Sequence, residues 1–174
     1  MRLRPKDIKR AESTKYLGLV APSGNPEQDL KMYTDVILRK GWHLTERTES
    51  NPFSDWTTTF HRRIALEHGF WDQPVWAQQA TLGHELVHIE QRIDIGRHRF
   101  NVRYMARPRW RWILETQAYR ESVRNLKARG ATSSQIDAYI EYVIKTLRKR
   151  YVLGILGDKQ MKKETRRILL LGAA

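Results

Sequence analysis

Two histidines one helical turn apart are the residues whose types and spacing best suit chemistry. They belong to a His-Glu-x-x-His pattern in an apolar stretch, His84-Glu85-Leu86-Val87-His88. Residues four apart on an α-helix share a face, so both imidazoles can bind one metal ion. Glu85 points aside and suits a base acting on a metal-bound water better than a ligand. The pattern predicts a Zn²⁺ site with Glu85 as the catalytic residue, against the simpler interpretation of two histidines in a helical core.

A catalytic zinc site usually takes three ligands from the protein and leaves the fourth position open. The chain has no cysteine, so the third ligand must be another histidine or a carboxylate. Glu115 is preferred because it stands on an otherwise largely apolar or small face of the next long helix, where unpaired carboxylates are rare. Asp94 and His98 are closer to the motif in sequence and remain alternatives, whereas Glu121 falls on nearly the opposite helix face.

The histidine motif needs a helix, and the sequence predicts one over residues 74–94. Asp72 or Gln73 is the expected cap, and Gly96 is expected to end the helix. Gly83 costs helix propensity, so we expect a neighbouring element to approach closely there. An apolar stripe on the side away from the histidines is expected to anchor the helix. Its members are Leu82, Leu86, Ile89 and Ile93.

The other predicted elements give an α+β chain that is mostly helical, with a helical C-terminal half. Residues 1–24 are expected to form a basic N-terminal arm, and residues 25–174 a single domain. A strand at 57–66 would wall a cleft and pair with an extended peptide. Further elements are expected as a helix at 25–41, a weak strand at 42–48, a basic connection at 98–104, and helices at 108–130, 132–150 and 158–170.

The net charge of +13 predicts attraction to polyanions such as nucleic acid or an anionic cell wall. Three arginines alternate with two tryptophans at 107–112, as in a patch that pairs phosphates and stacks bases. Solvated helix faces and an ordinary amphipathic helix start explain the same residues without a partner. The residues in question are Arg107, Arg109, Trp110, Arg111 and Trp112.

The motif and the second helix together resemble the gluzincin metallopeptidases, most nearly small HExxH proteins of bacteria and bacteriophages. The resemblance covers about residues 57–122 and includes Glu115 followed by Ala118-Tyr119. It implies a zincin-like fold with a small antiparallel sheet over the active-site helix, His84, His88 and Glu115 as ligands, and Glu85 as general base. Thermolysin-like members have an aspartate where Tyr119 stands, so this chain must orient its histidines differently.

The expected function is a zinc-dependent peptidase acting on a peptide or protein substrate. Tyr104, Tyr119, Tyr151 and His98 are candidates for stabilising the oxyanion. The alternative is a basic protein built on the same scaffold that binds nucleic acid or belongs to a virion. A third interpretation is a zincin scaffold without activity. The N-terminal residues lack the apolar run of a secretory signal, and no stretch approaches the length of a membrane span. A cytoplasmic protein, or one carried in a phage particle, is expected.

Overall fold

Two α-helices of 21 residues each, α3 (Val75–Ile95) and α5 (Pro108–Ala128), pack along each other and carry the elements around them. The computed structural model describes residues 3–21, 23–49, 58–60, 62–150 and 158–172. The chain is mostly helical with a small sheet, as predicted, and no helix among these residues is long and apolar enough to cross a membrane. The other helices are α1 (Pro5–Ala11), α2 (Pro26–Arg39), α4 (Arg97–Ala106), α6 (Ser133–Arg150) and α7 (Asp158–Gly172), and the strands are β1 (His43–Glu46), β2 (Thr58–Phe60) and β3 (Arg63–Leu66).

Two separate apolar cores flank the helix pair, one built on each helix. Burial of these side chains is the main favourable term in folding, at about 25 cal/mol per Å² of apolar surface. The core on α3 takes in α2 and the sheet and contains Val20, Tyr33, Ile37, Trp42, Ile64, Leu66, Phe70, Leu82, Leu86 and Ile89. The core on α5 takes in α1, α6 and α7 and includes Ala11, Trp112, Ile113, Val123, Ile140, Leu147, Met161 and Ile168.

The interface between α3 and α5 is polar, unlike the two cores. His84, His88 and Gln91 of α3 are buried there with Glu115 and Gln117 of α5. Polar groups in such a place destabilise a fold unless each finds a partner. The contacts that these buried polar side chains make must therefore explain why the interface between the two apolar cores is polar.

The sheet differs from the prediction in two ways. Its strand order is β1-β3-β2, with β1 parallel to β3 and β2 antiparallel to it, so the sheet is mixed and not wholly antiparallel. The single strand expected at 57–66 is two strands, because the chain reverses next to Arg62, whose φ is 60°. β3 is paired on both sides, whereas β2, the other part of the predicted strand, lies at an edge of the sheet. Pairing of an extended peptide with this strand stays a prediction.

Helix ends were predicted with mixed success. Asn25 caps α2, which was predicted to begin there, since its side chain accepts hydrogen bonds from the Glu27 and Gln28 backbone. α3 ends before Gly96 as expected, but Pro74 occupies its N-cap, and the predicted caps at Asp72 and Gln73 are wrong. Within its apolar stripe, Leu82, Leu86 and Ile89 are buried whereas Ile93 is 59% exposed. Residues 151–157 separate the two helices predicted at 132–150 and 158–170. They lie outside the described residues.

Two helices were not predicted, and both contact the central pair. α1 lies within the predicted N-terminal arm and packs on α5. α4 replaces the basic connection expected at 98–104 and packs on both α3 and α5. Only Phe100 of α4 is fully buried, so the sequence lacks the apolar stripe by which amphipathic helices are recognised.

Gly83 stands where another element approaches closely, as predicted. A methyl group there would lie 2.7 Å from Asn125 Nδ2 and 3.4 Å from Tyr33 Oη. Asn125 cannot easily move aside, because its Oδ1 accepts hydrogen bonds from Tyr33 and Arg124.

We expect Gly83→Ala to destabilise the protein by about 1–2 kcal/mol in urea unfolding. Overpacking costs roughly 1–3 kcal/mol, which exceeds the helix-propensity gain of at most about 1 kcal/mol. In an Asn125→Ala background the clash is absent, and the same substitution should become neutral or stabilising. Equal effects in the two backgrounds would contradict this explanation of the glycine.

Candidate metal centre

His84, His88 and Glu115 form one buried group that could hold a metal ion. Their potential ligand atoms all lie within 4.8 Å of one another. His84 Nε2 lies 3.1 Å from His88 Nε2. The Glu115 carboxylate spans both imidazoles, with Oε2 3.4 Å from His84 Nε2 and Oε1 3.4 Å from His88 Nε2. The residues predicted from the motif and from the second helix are thus brought together.

The spacing of these donors fits a small tetrahedral metal ion. With bonds of about 2.0–2.2 Å, two ligands of a tetrahedral zinc ion lie roughly 3.3–3.6 Å apart. The three measured separations, 3.1, 3.4 and 3.4 Å, fall at or just below that range. Among the described residues, buried Glu115 Oε2 has no hydrogen bond of good geometry, although His84 Nε2 lies 3.4 Å away, and this is costly unless a cation is bound. The donor set therefore suits a metal ion better than it suits a packed core.

His88 is held in one orientation and one tautomer by Gln91. His88 Nδ1 lies 2.8 Å from Gln91 Oε1. The Gln91 amide cannot be reversed, because its Nε2 donates to Leu114 O at 3.0 Å and to Gln117 Oε1 at 2.9 Å. Gln117 is fixed in turn by donating to Arg10 O at 2.7 Å. His88 Nδ1 must then be the donor, which in the neutral ring leaves the Nε2 lone pair toward the metal position.

Gln91 is a residue that we did not predict. It lies one turn after His88 on the same helix, so the spacing alone could have identified it as a neighbour of that imidazole. Its role depends on Leu114 and Gln117 of α5, which the pattern of one helix does not reveal.

We expect Gln91→Leu to weaken zinc binding by about 10–100-fold, the usual effect of removing a group that orients a metal-bound histidine. The measurement is competition with a chromophoric chelator. Gln78→Leu is the matched control, because Gln78 is also buried on α3 and donates to two backbone carbonyls, Trp71 O and Gln73 O. The control should lose stability and keep its zinc affinity, and an equal loss of affinity in both would contradict the assignment.

Glu115 is held by α4 as well as by the histidines. The Tyr104 hydroxyl donates a hydrogen bond to Glu115 Oε1, and Arg111 ties the C-terminal end of α4 down by donating to Tyr104 O at 2.7 Å. Burial raises the pKa of Glu115, but the charge of His88 and the close contacts with both imidazoles outweigh it and leave the pKa well below its usual range. The carboxylate is therefore ionised, as a metal ligand must be.

The electrostatics of His88 mirror those of Glu115. Burial lowers the pKa of His88, but the charges of Glu115 and Glu85 and the contacts of the imidazole with the acceptor oxygens of Glu115 and Gln91 raise it above its usual value. Two carboxylates thus act on one imidazole. The negative charge of these two carboxylates would favour a cation at the imidazole nitrogens in the same way.

His84 is placed by packing. Its ring lies edge-to-face against Tyr119, with the centroids 4.4 Å apart, and its Nδ1 is buried without a hydrogen-bond partner among the described residues. Tyr119 therefore occupies the place expected for an orienting acid and contributes a ring contact.

The other oxyanion candidates are placed differently: Tyr104 binds Glu115, His98 is exposed on α4, and Tyr151 lies outside the described residues.

Glu85 lies beside the donors without belonging to the metal-ligand group. Its charge acts on His88 and on Arg92, one and two turns further along α3. His84, Glu85 and His88 keep 8%, 5% and 6% of their surface exposed, whereas Glu115 keeps none. The residues of α3 therefore keep slight contact with solvent, whereas Glu115 is fully enclosed.

The alternative third ligands lie elsewhere. The Asp94 carboxylate accepts a hydrogen bond from the Tyr16 hydroxyl at 2.6 Å and pairs with Lys15, so it anchors the N-terminal segment. Most faces of α5 are buried, and Glu121 is buried with them. Its carboxylate accepts a hydrogen bond from Gly18 N at 3.0 Å and pairs with Arg124 at 2.8 Å. Both acids hold residues 15–18 against the central helices.

The tryptophans of the predicted nucleic-acid patch are engaged inside the protein. Trp112 is fully buried and donates from Nε1 to Thr165 Oγ1 at 2.9 Å. Two guanidinium carbons lie over the Trp110 ring, that of Arg103 at 4.3 Å and that of Arg10 at 5.0 Å from the ring centroid. Trp112 is buried and cannot stack on a base, so the prediction of two interleaved stacking rings is wrong. Binding of nucleic acid by the basic surface stays a prediction.

Comparison with known proteins found no match for the chain. No family model matches the chain, and neither a curated protein nor a solved structure matches it. Function has to be inferred from the buried donor group and the residues around it.

Proposed function

We propose that the protein is a zinc-dependent peptidase of the gluzincin type, with a zincin-like arrangement of its active-site helix. One observation carries the proposal: two imidazoles and one carboxylate, drawn from α3 and α5, lie at separations that suit a tetrahedral ion. Glu85 adds a second carboxylate beside this group. Three ligands with an adjacent acid are the parts that zinc hydrolases require.

The donor types favour zinc over most other cations. Imidazole nitrogen disfavours Mg²⁺ and Ca²⁺, which prefer oxygen ligands. Two histidines and one carboxylate also suit ferrous iron in oxygenases, but such chemistry has no need of a carboxylate next to the first ligand on the same helix. Glu85 at that position favours hydrolysis, and hence zinc.

His84, His88 and Glu115 would hold the zinc ion, Gln91 would fix the His88 ring, and Tyr104 would fix the carboxylate. Bound zinc would polarise a carbonyl and lower the pKa of a water molecule to about 7.

Glu85 performs the proton transfers. Its carboxylate takes a proton from the attacking water and returns it to the nitrogen that leaves the cleaved peptide bond. Its side chain is only 5% exposed, so its charge acts in a poorly solvated site where electrostatic effects are strong. We place the substrate on the α3 side of the group, because the α3 residues keep slight exposure whereas Glu115 is fully buried.

Metal removal and restoration test the proposal. Incubation of the zinc-loaded protein with a mixture of unstructured peptides should generate new N-termini, detected by mass spectrometry. A chelator should abolish this cleavage, and added zinc should restore it. Stoichiometric zinc with no cleavage of any peptide in a broad mixture would overturn the proposed activity. Stoichiometric iron in the purified protein would overturn the assignment of zinc as the metal.

A further inference from the structure

A basic cavity of about 200 Å³ lies near the metal-ligand group. It is lined by four cationic side chains, together with Trp42 and Ile93. The cations are Lys40, Arg62, Arg92 and Arg97. This is smaller than a typical ligand pocket of roughly 300–1,000 Å³, so it suits one chemical group of a larger ligand.

The four cations come from separate parts of the fold. Lys40 follows α2, Arg62 stands in the turn before β3, Arg92 is on α3, and Arg97 begins α4. Such convergence is unlike the solvated basic face of a single helix. Glu90 pairs with Lys40, and the other three cations on the cavity wall are guanidinium groups, each with five N–H donors.

Arg92 is held rigidly in this wall. Its guanidinium carbon lies 4.8 Å from the centroid of Phe100 and 5.6 Å from that of Trp42, so two rings sandwich the charge. Burial lowers the pKa of Arg92, the charge of Glu85 opposes this, and the nearby charge of Arg97 lowers it further. Positive charges held together in a poorly solvated place create a potential that favours an anion.

Phe100 connects the cavity to the metal-ligand group. Its ring centroid lies 6.1 Å from that of His88 and 4.8 Å from the Arg92 guanidinium carbon. Arg92 therefore lies no farther from the His88 ring than these two distances combined. An extended peptide covers about 3.3 Å per residue, so three residues cover most of the largest separation that these distances allow. A peptide bond at the metal and a side chain in the cavity can belong to one substrate.

We propose that this cavity is a subsite for a carboxylate of the substrate, either an acidic side chain or a free C-terminus, within about three residues of the cleaved bond. The assignment rests on the proposed peptidase function, because peptides carry carboxylates as their usual anions. Guanidinium groups bind carboxylates through paired hydrogen bonds, which gives the subsite selectivity as well as charge.

Binding of a small probe tests the subsite without catalysis. The zinc-loaded full chain is titrated with N-acetylglutamate α-amide and with the neutral N-acetylglutamine α-amide, and the indole N–H resonance of Trp42 is followed by NMR. The glutamate probe should shift this resonance and bind at least tenfold more tightly than the glutamine probe. Absence of binding, equal binding, or tenfold tighter binding of inorganic phosphate would overturn the carboxylate assignment.

Paired variants separate the cavity from overall charge and from the metal. Arg62→Ala/Arg97→Ala removes two charges from the cavity, and both side chains are exposed enough for the fold to tolerate their loss. Lys162→Ala/Lys163→Ala removes two charges from exposed positions of α7. We expect at least tenfold weaker binding in the first variant and less than twofold in the second. Equal effects in both, or no effect in the first, would overturn the inference.

Peptide cleavage gives a second measurement. In the proposed peptidase, cut sites should be enriched in acidic residues within three positions, and this enrichment should disappear in Arg62→Ala/Arg97→Ala. Cleavage without any probe binding would overturn the subsite and leave the peptidase intact. Probe binding at Trp42 without cleavage would overturn the peptidase and leave an anion-binding cavity.

Discussion

Glu115→Ala will purify with little or no zinc, and its zinc affinity will fall by more than about 100-fold. Removal of a group that only orients a ligand typically costs 10–100-fold, and Glu115 is itself within 3.4 Å of both imidazole nitrogens. The variant also loses the charge that raises the pKa of His88. Metal analysis of the purified protein, with chelator competition for the residual affinity, measures the effect.

Two further variants make the Glu115 result decisive. Glu115→Gln keeps the size of the side chain and separates loss of the ligand charge from a buried cavity. Asp94→Asn tests the nearest alternative ligand and should keep full zinc, because the Asp94 carboxylate binds Tyr16 and Lys15. Full zinc in Glu115→Ala together with zinc loss in Asp94→Asn would reverse the assignment. Unfolding curves of the metal-free proteins show whether any loss of zinc reflects misfolding.

The sequence was informative where a function depends on local spacing. The four-residue step from His84 to His88 placed both rings on one helix face, and the single acid on the inner stripe of α5 proved to face them. Asn25 and Gly83 were also interpretable, because capping and close approach follow from one residue type. In each case the physical cause lies in the residue and its neighbours along the chain.

The remaining features depend on contacts between distant segments. Arg62 adopts a φ of 60°, which its residue type does not indicate, so the hairpin was missed. The functions of Gln91 and Tyr104 arise only when α4 and α5 meet α3. Trp112 looked available for stacking until its partner Thr165, 53 residues later, was seen to bind it. Tertiary packing decides such cases.

Glu85→Gln will retain zinc and lose peptide cleavage by about 10²–10⁴-fold, the range that general acid–base catalysis usually contributes. The amide has nearly the same shape, but it cannot accept the proton of the attacking water or return it to the leaving nitrogen. Zinc should stay bound because Glu85 is outside the group formed by His84, His88 and Glu115. Single-turnover cleavage of a peptide found in the wild-type digest, alongside zinc analysis, measures both properties.

Glu141→Gln provides the matched control for this substitution. Glu141 is an exposed acid on α6 that bonds Arg166 at 2.7 Å, so its change removes one negative charge far from the donors and should leave the rate unchanged. Wild-type cleavage by Glu85→Gln would exclude Glu85 as the base. Zinc loss in that variant would instead make Glu85 a ligand. Retained zinc with lost cleavage is the combination that a general base requires, since metal binding and proton transfer then reside in different carboxylates.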